Sequence, residues 1–225
     1  MILGALICLV LTFMLTIIRK PLTYLAKRGV ISSFFEDTDI YIWFAMVVIL
    51  FISRNLLGLF HLNFEDIHLG LIDVLLILGV VYLFAVNSEY AIPKTMHQAF
   101  VFVLLFPIGE EFLFRGWIQN YAKEFTMNFP NNIDLYLINN IPMAVLISAF
   151  CFGITHFQYN DFKINQKSIK QVLFAFAFGL FAGKIAYRTD SLVLPLIIHI
   201  FANGSVVFYG RRLMKNGLRK KSEVA

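Results

Sequence analysis

Charged residues are scarce in this sequence. Asp, Glu, Lys and Arg make up 15% of the 225 residues, against 59% hydrophobic residues and a mean hydropathy of +0.75. A soluble domain carries about a quarter of its residues charged, so a soluble fold is excluded and the chain reads as a polytopic membrane protein. Cysteine is scarce as well: Cys8 and Cys151 both lie in apolar runs, which leaves no disulfide framework and no thiolate metal site. The sequence lacks GxGxxG, a P-loop and any long soluble segment, so nucleotide and nucleic-acid work have no support. It also lacks HExxH, and it carries no internal repeat of the transporter kind.

What is there is a series of apolar runs. A membrane-spanning helix needs roughly 20 mostly apolar residues, and seven stretches qualify: 2–18, 40–60, 69–87, 98–118, 141–157, 171–187 and 191–209. The expected fold class is all-α, a polytopic transmembrane helix bundle of about seven spans. No basic residue precedes the first run and no small-residue cleavage site follows it, so it is expected to be a retained helix. Lys and Arg accumulate on the cytoplasmic side of membrane proteins. Placing the C-terminus inside puts fourteen of the nineteen there and only Lys123 and Arg188 outside, with Arg54, Arg115 and Lys184 within the expected spans. The expected location is the cell membrane, with the N-terminus outside and a basic tail, 211–225, in the cytoplasm. That tail fixes topology and has the charge to meet anionic lipids.

Two polar stretches outside the spans carry less. Glu36 to Asp39 reads as a solvated boundary before the second span. The segment from His61 to His68, HLNFEDIH, matches no tight metal-ligand spacing and reads as a polar loop. Within the sixth span, Ala175, Gly179 and Gly183 recur every fourth residue, forming a stripe that permits close helix packing inside the bundle or between two copies.

The informative stretch is GEEFLFRG, Gly109 to Gly116. It puts Glu110, Glu111 and Arg115 inside an apolar run, where ionisable side chains cost about 2.5–3.5 kcal/mol each and are kept for a site or an ion pair. Glu111 and Arg115 are four apart and can pair on one helical face. Glu110 is turned about 100° away, towards a different neighbour, where a partly dry setting suits a general base. The fifth span ends in SAFCFGITHF, with Phe152 and His156 four apart, and the seventh reads LPLIIHIFANG, with His199 and Asn203 four apart. Each motif alone fits a structural tie. Together they supply a base, a proton partner and a neutral amide donor for an oxyanion, the inventory for attack of water on an acyl carbon.

These three motifs, EExxxR, FxxxH and HxxxN/D in that order, resemble the CAAX prenyl protease and bacteriocin-processing family of intramembrane endopeptidases over about residues 97–210. The resemblance implies that Glu110 and His156 activate the attacking water and that His199 and Asn203 stabilise the tetrahedral oxyanion. Glu111, Arg115 and Phe152 support them. Residues 1–96 then form a variable N-terminal helical part of one integral membrane domain. The family has been described both as metal-dependent and as glutamate-dependent. Glu110, His156 and His199 are the candidate ligands for a divalent ion such as Zn²⁺, and no other cofactor is implied.

The expected partner is a membrane-associated peptide or protein substrate, alongside the lipids, with a homo-oligomer allowed by the small-residue stripe. The richness in Phe, Ile, Asn and Lys points to an AT-rich bacterial genome, so the expected target is a leader peptide, a signalling precursor or a bacteriocin. The alternative is a bacteriocin self-immunity or scaffold protein that keeps the fold and works by binding. A cavity opening to the cytoplasm is also expected, because His156 falls near the cytoplasmic end of its span and Glu110 well inside the bilayer.

Overall fold

The computed structural model describes residues 2–30, 38–56, 70–87, 92–127, 132–135 and 138–215. The polar segment from His61 to His68, the acidic Glu36 and Asp37, and most of the basic tail lie outside these.

The described residues are predominantly helical. In chain order they form α1 (Ile2–Thr12), α2 (Met14–Lys27), α3 (Asp39–Leu56) and α4 (Leu71–Asn87). A long run of helical turns follows from Met96 to Phe125, then α5 (Met143–Thr155), α6 (Gln166–Thr189) and α7 (Val193–Lys215). Each of the seven expected apolar stretches contains helix among its described residues. Among the described residues, α6 and α7 are long and apolar enough to cross a membrane, and α1 with α2 makes a third if the pair, bent by 53°, counts as one span. The helices Asp39–Ser53 and Leu71–Val86 are apolar but shorter. A two-stranded antiparallel ribbon, β1 (Asn132–Leu135) and β2 (Ile138–Pro142), interrupts the all-helical pattern that the composition predicts. It satisfies backbone groups by cross-strand bonds where Pro142 ends one element and opens α5.

Contacts within the chain divide it into two units. The first comprises Met1–Phe60 and Phe112–Lys184. Its core joins β2 and α5 to α6 through Ile141, Val145, Ala149 and Leu180. The small-residue stripe is spent here: a Cβ on Gly179 would stand 2.9 Å from the Cα of Ala149, and one on Gly153 would stand 3.0 Å from the Cβ of Phe176. Glycine at both positions lets the two helix backbones touch. α3 is held by the stacked rings of Phe51 and Phe112, 4.0 Å apart, and by the Trp117 indole, which donates to the Leu50 carbonyl at 3.1 Å. Asp39 departs from expectation. It is buried and ion-paired with Arg19 rather than solvated, because the start of α3 packs beside α2.

The second unit comprises His61–Glu111 and Ile185–Ala225. α7 runs along α4 and against the turns between Val101 and Glu110. The Arg211 guanidinium donates to the Pro93 carbonyl at 3.3 Å. This packing brings the third motif of the sequence to the first.

Candidate active site

The motif-bearing helix starts from a capping box. Thr95 accepts from the Gln98 amide at 3.1 Å, and the Gln98 side chain accepts from the Thr95 amide at 3.2 Å, so two N–H groups at the helix start are satisfied reciprocally. The helix then meets Pro107, which has no N–H and whose ring presses on the preceding turn. The turn widens in response: Val101–Leu105 is π-helical, and the Phe106 amide donates back to Val101, five residues away. At that spacing Phe102 faces Pro107, which has no N–H to give. The Asn203 side chain donates from its Nδ2 to the Phe102 carbonyl at 2.8 Å. Sequence reasoning assigned Asn203 but missed Pro107. The available signal was a proline three residues before two buried carboxylates.

The widened turn is followed by Phe106–Glu110, a short α-helical piece, and by a second π-helical stretch, Glu111–Gln119. π-turns inside α-helices concentrate at functional sites. At this junction Glu110 and Glu111 are both buried, and both address His199 of α7. His199 Nδ1 lies 2.7 Å from Glu111 Oε1, and Nε2 lies 3.6 Å from Glu110 Oε2. An ionised carboxylate only accepts, so with Glu111 ionised Nδ1 carries its hydrogen and Nε2 is the nitrogen presented to Glu110. The structure thus brings together Glu110, Glu111, His199 and Asn203, all within the second unit. The i, i+4 spacing points Glu111 to Arg115; it does not reveal that Glu111 fixes the ring of His199.

Arg115, Phe152 and His156 belong to the first unit. The Arg115 guanidinium sits over the Phe152 ring at 4.4 Å and over Phe178 at 5.9 Å, a cation–π arrangement fully removed from water. Phe152 also packs edge-on against Phe114, 5.1 Å away, and against the His156 ring at 5.0 Å. Ser148 ties α5 to the π-helical stretch by donating to the Phe114 carbonyl at 2.8 Å. His156 ends α5, and its Nδ1 lies 2.8 Å from the Phe152 carbonyl. A carbonyl only accepts, so Nδ1 carries the hydrogen and the neutral ring keeps its lone pair on Nε2, the form a base requires.

Among the described residues, no group of three or more His, Cys, Asp or Glu side chains has the arrangement of a metal site.

No curated protein and no solved structure matches the chain. A family does: residues 92–205, just over half of the sequence, match the one described as Rce1-like, type II CAAX prenyl endopeptidase. The match contains GEEFLFRG, the His156 turn and the pair His199 and Asn203. The chain belongs to the Rce1-like family of type II CAAX prenyl endopeptidases.

Proposed function

We propose that the chain is an intramembrane endopeptidase that hydrolyses a peptide bond of a membrane-associated peptide or protein. The observation that carries this reading is the buried cluster in which two consecutive carboxylates address the two nitrogens of one histidine. A purely structural tie needs one carboxylate on one nitrogen. Glu111 already makes that tie, and Glu110 is a second carboxylate beside it.

In this reading Glu110 takes a proton from water as the water oxygen attacks the carbonyl carbon of the scissile bond. The oxyanion that forms is met by donors on His199 and Asn203. The Asn203 amide carries two N–H bonds, so its bond to Phe102 does not exhaust it. In this reading the His199 ring carries both hydrogens, Nδ1–H held by Glu111 and Nε2–H aimed at the developing charge. As the C–N bond breaks, Glu110 returns its proton to the leaving amine. His156 shares in activating the water, as its motif implies. Arg115 supports the site, as its motif implies, and Phe152 packs against both Arg115 and His156.

The catalytic core is residues 97–210, within seven crossings that leave the N-terminus outside and residues 211–225 in the cytoplasm. The substrate is a leader peptide, signalling precursor or bacteriocin of a bacterial host. This mechanism uses no metal.

The test is cleavage of membrane-tethered peptides by purified protein, wild type against Glu110→Gln, each with and without a chelator. Loss of a general base lowers kcat by about a hundredfold or more, and the chelator is expected to change nothing. Activity lost on chelation and restored by Zn²⁺ would place a metal in the mechanism. Absence of cleavage, with bacteriocin tolerance in cells that survives Glu110→Gln, would turn the reading to immunity by binding.

A further inference from the structure

The first helix is bent by 53° at Phe13, between α1 and α2. Pro21 lies eight residues beyond the bend and does not cause it. Sharp bends otherwise arise where a side chain enters the backbone ladder, and here two do. In a straight helix the Thr16 amide would donate to the Thr12 carbonyl. Instead the Thr16 amide donates to Gln158 Oε1 at 3.2 Å, and the Thr12 carbonyl accepts from the Thr155 hydroxyl at 2.8 Å. The Thr16 hydroxyl also donates to Gln158 Oε1, at 2.8 Å, and Gln158 Nε2 donates to the Thr155 hydroxyl at 2.5 Å. Thr12, Thr155 and Gln158 are all buried. In the apolar middle of a protein such donors and acceptors are costly unless each is answered, and this set answers itself.

Thr155 and Gln158 flank His156. The turn after His156 is compact: the Phe157 and Phe162 amides donate to Ile154 and Phe157 at 3.1 and 2.9 Å, and Asn160 binds back to the His156 carbonyl at 3.2 Å. Asp161 and Phe162 adopt left-handed backbone conformations, φ 50° and 58°, which non-glycine residues hold at a cost of about 1–3 kcal/mol each only when the surroundings impose them. Those surroundings include the bent helix again. The Phe162 ring packs against Phe13 at 5.6 Å and under the Lys20 ammonium at 5.5 Å.

We infer that the bend of the N-terminal helix is the seat of His156: Thr12 and Thr16 grip Thr155 and Gln158 and thereby fix the helix end from which the imidazole projects. The inference rests on the reading of His156 as a water-activating group. It makes the N-terminal helix a working part of the site, with Thr16, Thr155 and Gln158 as positioning residues.

The experiment uses the full chain in lipid nanodiscs, with Thr16→Val, Thr16→Ser and Gln158→Leu. Three quantities are measured: kcat and KM on a cleaved peptide, amide exchange at Phe157, Asn160 and Phe162, and the ¹⁵N ring spectrum of His156, assigned by its loss in His156→Gln. Thr16→Val and Gln158→Leu are expected to lower kcat by about tenfold to a hundredfold, the scale of a small misplacement of a reacting group. KM should stay within about twofold, as for an interaction lost only in the transition state. Amide exchange accelerates, the His156 ring shows mixed tautomers, and Thr16→Ser restores wild-type values. Should Gln158→Leu fail to fold, Thr16→Val decides, since it deletes one hydroxyl and keeps the volume. Wild-type kcat in Thr16→Val, or unchanged exchange and ring spectrum, overturns the inference. If the wild type cleaves nothing, a ring spectrum altered by Thr16→Val upholds the seat and removes only the peptidase reading; an unaltered one removes both.

Discussion

His199 presents its two nitrogens to adjacent carboxylates, and the two contacts make different demands. The 2.7 Å bond from Nδ1 to Glu111 requires a hydrogen on Nδ1, which fixes the ring's orientation. Glu111→Gln keeps the shape but removes the negative charge that answers a ring carrying both hydrogens, and its amide can turn NH₂ instead of oxygen to Nδ1. The expected result is a folded protein with an unchanged melting midpoint and kcat lowered by about a hundredfold or more, following the loss seen when an orienting carboxylate beside a catalytic histidine becomes an amide. Turnover within a few-fold of wild type would mean that Glu111 is a tether only. The motif residues themselves were legible in the sequence, because carboxylates, imidazoles and an amide inside apolar runs have few reasons to be there. Their partners were not. Glu111 and His199 stand 88 positions apart, and helical spacing ranks only neighbours on the same helix. Thr12, Thr16, Thr155 and Gln158 were less visible still, since a hydroxyl or amide in an apolar run gives no signal until the facing helix is known.

At the scale of elements, two departures from α-helical regularity shape the site. The first is the π-turn imposed by Pro107. Pro107→Ala restores an N–H and allows Val101–Leu105 to rewind as α-helix, in which the Phe106 amide would reach the Phe102 carbonyl and compete with Asn203. Rewinding by one residue rotates Glu110 by about 100° relative to the turns before Val101. The expected outcome is a melting midpoint equal to or above that of the wild type, because proline in a helix interior is itself costly, with cleavage reduced about tenfold or more. A loss of stability with unchanged turnover would contradict this. The second is the contact of α5 with α6 at Gly179, where an added Cβ would meet the Ala149 backbone at 2.9 Å. Gly179→Ala must part the two helices and should cost about 1–3 kcal/mol, the range for overpacking, read as a lowered midpoint in detergent. The stripe that contains Gly179 was visible as a small-residue repeat. Which helix it would meet was not, and the answer is one inside the same unit rather than a second copy.

For the molecule as a whole, composition alone announced a helical membrane protein, since a chain with 15% charged residues cannot cover a soluble surface. The positions of the helices followed from the apolar runs. The bend of the first helix did not, because its cause lies in side chains more than 140 positions away. The bias of Lys and Arg predicts that Lys163 and Lys170, on either side of the turn that begins α6, face the cytoplasm. Cysteines introduced at these positions should react with a membrane-impermeant maleimide only in inside-out vesicles; labelling in right-side-out vesicles would reverse the topology. The central claim is that Glu110 and His199 act together on one reaction. The most direct measurement is kcat on a cleaved membrane-tethered peptide for Glu110→Gln, His199→Gln and the double variant. Groups that act as one unit are not additive, so the double variant should be no slower than the worse single variant. Losses that multiply, or a Glu110→Gln enzyme that still cleaves at the wild-type rate, would contradict the account.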